Sequence, residues 1–248
     1  MPDDPVDPPP TPHEAWTEGE FCLISADNVS FRVPSRTLFW ASNNLADAAD
    51  VSGGSSAEKV VRFTDPELES SSTIDRFLNL AVKYIATPST QSQAPGHESD
   101  DDVAVCREIH RLVQFLHKYD CAPLLRLLQL TTVRCLEEAR MNPLRSFVIG
   151  SVTDSPSVCE LALQAADSAD DNQPKGYRDE RSMRGLDPGT IPLPLWKLIY
   201  PAHSWALTAA WSRSTEYRNC SVGRHQSRDP MAVARLFKAL VRGADHDA

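Results

Sequence analysis

VAVCREIHRLVQFLHKYDCAPLLRLLQLTTVRCLEEAR, Val103 to Arg140, is the stretch whose reading decides the fold. Val105, Ile109, Leu112, Val113, Leu116 and Tyr119 recur at steps of three and four, which at ~100° per residue gathers them along one side of a helix. After one break at Cys121-Ala122-Pro123, the spacing returns in Leu124, Leu127, Leu128, Thr131, Cys135 and Leu136. Pro123 suits the first turn of the second helix, where its missing N–H is not needed. Two apolar helix faces joined by so short a break fold back on each other or meet at an angle, and both need a core to cover them.

Upstream, the first twelve residues hold six prolines and almost no apolar side chain, so residues 1–18 read as a disordered arm. Phe21 and Leu23 alternate with Cys22 and Ile24, and Val29, Phe31 and Val33 alternate with Ser30 and Arg32. Both are strand patterns, and Ala26-Asp27-Asn28 between them is a turn signal. Pro34 ends the second strand, and Ser35 is the expected N-cap of a helix that turns Leu38, Ala41 and Leu45 inward. Val51 to Ala57 is a Gly/Ser loop, and Lys59 to Phe63 reads as a short strand. Ser72 and Asp75 then open a helix whose stripe runs through Ile74, Phe77, Leu78, Ala81, Val82 and Ile85. About 88–101 is a Pro/Ser-rich mobile loop. Past Arg140, two shorter helices flank Ser155-Pro156, residues 168–190 form a linker, and residues 191–248 form a helical segment, apolar from Leu195 to Ala210, with a mobile tail.

Composition is that of a soluble globular chain, with 41% hydrophobic and 24% charged residues. Neither a signal peptide nor an apolar run of ~20 residues is present, so no membrane is expected. Six widely spaced cysteines inside apolar patterns read as reduced and buried in an intracellular protein, cytoplasmic or nuclear. The net charge of −9 is uneven: residues 175–248 carry 12 Lys and Arg against 7 Asp and Glu. Those arginines are scattered rather than striped, so they read as solvated surface and no nucleic acid is expected.

The order hairpin, helix, strand, helix and broken helix pair resembles a BTB/POZ domain of the basidiomycete fungal type. The sequence Phe31-Arg32-Val33-Pro34-Ser35-Arg36-Thr37-Leu38-Phe39-Trp40-Ala41-Ser42 keeps that family's Phe-x-Val, Leu and closing Ser, and Lys118-Tyr119-Asp120 is similar to its Lys-Tyr segment. The resemblance implies a protein–protein interaction module over residues 19–140, an adaptor or self-association domain, with a helical extension over 141–167. Where the family has His and then a basic residue, this chain has Pro34 and Ser35, and Glu20 replaces an Asp. A homodimer of the family kind would therefore need Arg32 or Arg36 in the basic role. The hydrophobic-x-Glu feature by which some members engage a cullin-type ligase scaffold is missing from the Gly/Ser loop.

Chemistry leaves fewer signals. Cys106, His110, His117 and Cys121 share one flank of the central helix, but fifteen helical residues span ~22 Å, so at most one pair could share a metal. His203, beside Trp205, reads as a core residue rather than a general base. No nucleophile elbow, phosphate loop or zinc-protease motif occurs. The expectation is a helix-dominated α+β fold, BTB/POZ-like, with a small sheet on a helical cluster, no catalytic residues, no metal and no cofactor. Its partners would be other proteins, including a second copy of itself, and its contact residues Phe39, Trp40 and Asn43, which ~100° steps turn away from the core. The alternative is an enzyme or metal protein whose site residues are dispersed along the chain.

Overall fold

The computed structural model describes residues 8–45, 47, 59–83, 98–171, 186–220, 223–228 and 230–244. The Gly/Ser loop, most of the loop expected at 88–101, residues 172–185 and the last four residues lie outside them. The fold is α+β, helix-dominated, with a small mixed sheet. The chain divides into two compact units: residues 1–90 with 111–128, and residues 91–110 with 129–248. The boundaries between the units fall inside the two long helices.

The first unit holds β1 (Thr11–Thr17), β2 (Phe21–Ile24), β3 (Val29–Val33), α1 (Ser35–Ala41), β4 (Lys59–Arg62) and α2 (Ser71–Lys83), with parts of α3 (Glu98–Lys118) and α4 (Ala122–Glu137). Strand order is β1-β3-β2-β4. β2 and β3 form the expected antiparallel hairpin, and β4 lies parallel to β2. Because β2 is flanked on both edges and covered on both faces, all four of its residues are buried, not only Phe21 and Leu23. Asn28 takes φ 62° at the hairpin turn, a conformation Asn tolerates. Phe63, Phe77 and Phe115 form an aromatic core between sheet and helices, with centroids 5.8 Å (Phe63–Phe115) and 5.2 Å (Phe77–Phe115) apart. Burying each such ring contributes roughly 2 kcal/mol.

Several local expectations are corrected. Residues 1–18 are not a disordered arm throughout: Thr11–Thr17 is a strand, pairing parallel with β3. Trp16, buried, supplies the apolar anchor that the proline count obscured. Pro34, not Ser35, occupies the N-cap of α1. α2 opens at Ser71, and its first amide is capped by Asp27 from the hairpin turn, whose carboxylate accepts from Ser71 N at 2.8 Å and Ser71 Oγ at 2.6 Å. On α2 Leu80 is buried, while Val82 is 43% exposed, because the inward stripe is set by what packs against the helix.

The second unit is built from α5 (Pro143–Val152), α6 (Pro156–Asp171), α7 (Leu193–Trp196), α8 (Pro201–Arg213), a hairpin of β5 (Thr215–Cys220) and β6 (Gly223–Arg228), and α9 (Pro230–Ala244), with the remainder of α3 and α4. α6 continues to Asp171, into the expected linker. The helix expected over Leu195–Ala210 is broken at Pro201, which opens α8. The C-terminal segment carries, beyond the expected helix, a hairpin and then α9, which packs on α6 and α8. Val233, Ala234, Phe237 and Val241 form the buried stripe of α9. The Arg145 guanidinium and the Asn142 amide both bond the buried Asp102 carboxylate, tying the start of α3 to α5. Among the described residues no helix is long and apolar enough to cross a membrane.

Glycines make opposite demands in the two units. Gly19 adopts φ +142°, and a Cβ there would lie 2.1 Å from the Val33 carbonyl carbon. Near the end of α9, nothing lies within 4 Å of a Cβ at Gly243. Gly19→Ala is expected to lower stability by about 2 kcal/mol or more, and Gly243→Ala to raise it by roughly 0.5 kcal/mol, both read from denaturant unfolding.

Candidate protein-interaction surface

The surface around α1 is positioned by a polar cluster on Glu69. Its side chain is 2% exposed, and its Oε2 accepts the amides of Thr64 and Asp65, each at 2.7 Å. Oε1 accepts from the Tyr119 hydroxyl and from Lys118 Nζ, the latter at 2.7 Å. Lys118 also reaches Asp65 at 3.3 Å. Burial pushes the Glu69 carboxyl up, but the bonds from Lys118, Tyr119 and the backbone outweigh it and hold the group below the usual glutamate value. Lys118 is raised by the same contacts. Burial and the Glu69 carboxylate both keep the Tyr119 hydroxyl protonated well beyond its ordinary range.

Tyr119 passes this anchoring to α1. Its carbonyl accepts the Ser42 hydroxyl, and Ser42 Oγ in turn accepts the Leu45 amide at 3.1 Å. The other end of α1 is held by Glu20, whose Oε1 accepts the Ser35 amide at 2.8 Å and the Ser35 hydroxyl. Those bonds hold the Glu20 carboxyl below its ordinary value. Glu20 thus satisfies donors at the N-terminus of α1.

With Leu38, Ala41 and Leu45 buried, the outer side of α1 carries Phe39 and Trp40, 40% and 41% exposed, and beyond its end the exposed Asn43. All three predicted contact residues therefore lie on the surface of one short segment. Phe39 meets the Phe21 ring edge-on at 6.1 Å, and Lys59 Nζ stands 5.6 Å from the same ring. Sequence reasoning missed other exposed apolar side chains, in the second unit: Leu193, Tyr200, Trp205 and Met231. Leu193 carries no periodic signal in the sequence that would mark it as surface.

The residues with chemical potential are closed in. Cys22, Cys106, Cys121, Cys135 and Cys159 stand as buried thiols, and burial pushes Cys106 and Cys121 each up to about 12, which leaves little thiolate near neutral pH. Burial pushes His110 below its ordinary value. Among the described residues no group of three or more His, Cys, Asp or Glu is arranged to hold a metal ion. His203 is 1% exposed, with Nδ1 3.0 Å from Ser151 Oγ and Nε2 3.7 Å from Asp154. That Ser/His/Asp set resembles a hydrolytic array in composition, but Ser151 is itself fully buried and accepts the Tyr200 amide at 2.8 Å. A nucleophile must be reachable, and this one is a packing contact.

Comparison of the chain with protein-family models, with curated proteins and with solved structures returns no match. Glu69 carries the test of the cluster. Its folded-state pKa lies below the ordinary 4.5, so its stabilisation is fully present above about that pH and is lost as pH falls through the depressed value. Glu69→Gln should flatten that acid dependence, and Glu69→Ala should cost about 3 kcal/mol at pH 7 by stripping two amides and the Tyr119 hydroxyl of their acceptor, both measured by urea unfolding across pH 3–7.

Proposed function

We propose that the first unit is a protein–protein interaction module of the BTB/POZ kind that works by binding, with no catalytic activity of its own. The observation that carries this reading is the succession of elements around α1: antiparallel hairpin, helix, a strand parallel to the first hairpin strand, helix, then a helix ending in the Lys118-Tyr119 segment that bonds back to Ser42. The closing Ser42 of one resembling motif and Tyr119 of the other are direct hydrogen-bond partners. Phe39, Trp40 and Asn43 form the contact patch, with Trp40 as its anchor, since Trp is enriched among residues that dominate binding energy. Glu20 is committed to the N-terminus of α1, so self-association, if it uses this face, rests on the aromatic pair rather than on an acidic–basic pair. Buried thiols support a reducing compartment inside the cell.

Trp40→Ala tests the patch. Side chains this exposed contribute little to stability, so the melting curve should stay within ~1 kcal/mol of wild type while self-association in sedimentation, or recovery of a partner protein, weakens about ten-fold or more. A stability loss of ~3 kcal/mol with association unchanged would make Trp40 a core residue and remove the patch.

A further inference from the structure

β1 is lightly committed to the first unit. It is an edge strand, its burial is confined to Trp16 and partly His13, and its ladder with β3 is broken. Thr11 and Pro12 sit opposite Val29 and Ser30, but Thr17 sits opposite Arg32, so five steps along β1 match two along β3. The extra residues make an irregularity in the ladder over 13–16, and such a break re-aims side chains that regular alternation would send to opposite faces. Here it brings His13 and Trp16 to one carboxylate: Asp75 Oδ1 accepts the Trp16 indole N–H at 2.7 Å and lies 3.8 Å from His13 Nε2. The His13 ring also stacks on Phe31 at 4.6 Å. Asp75 Oδ2 accepts from Asn79 at 2.9 Å, which holds the carboxylate in place from α2 itself.

Pro8 and Pro9 add little grip. Asn28 donates to Pro8 O at 3.1 Å, but its Oδ1 is buried with no hydrogen-bond partner among the described residues, and the neighbouring prolines have no N–H to offer it. A segment with one buried side chain, a broken ladder and an unsatisfied acceptor beneath it opens at a lower free energy than the hairpin it covers.

We propose that the edge of β3 together with Asp75 and Phe31 is a peptide-binding site, and that Thr11–Thr17 occupies it as an intramolecular ligand that a partner displaces. The site takes an extended peptide that adds as a parallel strand and presents an indole N–H to Asp75, with a flat ring three residues earlier to stack on Phe31. Backbone pairing with β3 supplies affinity, and the Asp75 contact supplies selectivity. This surface differs from the α1 face, and the inference stands independently of the module reading.

The probe is a fluorescein-labelled peptide with the sequence of residues 8–18, titrated by anisotropy into the full chain. Occupancy in cis lowers apparent affinity by the fraction of chains whose site is open. Trp16→Ala in the chain should therefore strengthen peptide binding about ten-fold relative to wild type. Replacing the peptide's own Trp by Ala, or adding Asp75→Ala to the chain, should abolish the gain. Equal binding by wild type and the folded Trp16→Ala chain, or none by either, overturns the proposal, as does a concentration-dependent dimer that excludes the peptide, which would mark exchange of β1 between two copies. Should Trp16→Ala fail to fold, hydrogen exchange on the wild-type chain decides: the Thr11 amide, bonded to Asn28 O at 2.9 Å, is expected to exchange at least about ten-fold faster than the β2–β3 ladder. Equal protection would mean that β1 does not open by itself.

Discussion

A single buried carboxylate holds the first unit in register. Glu69 follows β4 by a few residues, yet it accepts two amides of its own loop, the Tyr119 hydroxyl and the Lys118 ammonium. An ionised group this deeply enclosed is tolerable only when nearly all its lone pairs are used. The same geometry that makes the charge tolerable joins three segments distant in sequence. The Glu69 carbonyl extends the joint to the hairpin turn by accepting the Ala26 amide at 3.0 Å. Strand, turn and helix end are thereby locked around one residue, and the aromatic core of Phe63, Phe77, Phe115 and Tyr119 closes beside it.

From that joint the surface follows. Tyr119 holds Ser42, Ser42 holds Leu45, and Glu20 holds Ser35, so both ends of the seven-residue α1 are tied by side chains. A helix this short is not stable by propensity. Anchored at each end and buried along Leu38 and Ala41, it presents Phe39 and Trp40 outward in a defined orientation. An aromatic pair on a rigid element loses little conformational entropy when a partner covers it, which favours binding over a flexible patch of the same area.

The second unit solves a different problem. Helices α5 and α6 approach closely at Gly150, where a Cβ would meet the Cys159 amide nitrogen at 2.9 Å. Around Phe147 and Phe237, with centroids 5.5 Å apart, the unit encloses His203 and gives its Nδ1 the Ser151 hydroxyl. The histidine is a buried polar group with a partner, the ordinary requirement for such a residue in a packed interior.

The sequence by itself determined the elements whose signal is local. Helical periodicity placed α2, α3 and α4; alternation and Asn28 placed the β2–β3 hairpin; the three-and-four spacing of Leu38, Ala41 and Leu45 already turned Phe39 and Trp40 outward. Such patterns survive because a helix or strand repeats its geometry every few residues. The tertiary structure alone decided what depends on a distant partner. Thr11–Thr17, with its prolines, becomes a strand because β3 offers it an edge and Asp75 an anchor for Trp16. Asp27 caps a helix 44 residues away as well as serving its own turn. α9, although its stripe is periodic, could be read as tail until Phe147 and the α6 and α8 surfaces are there to receive Phe237. Glu69, one acidic residue among many in the sequence, becomes the hub because folding brings to it donors from residues 64, 65, 118 and 119. Hydrogen bonds between distant segments leave no periodic trace in the chain, since their free energy is realised only once loop closure has brought both ends together.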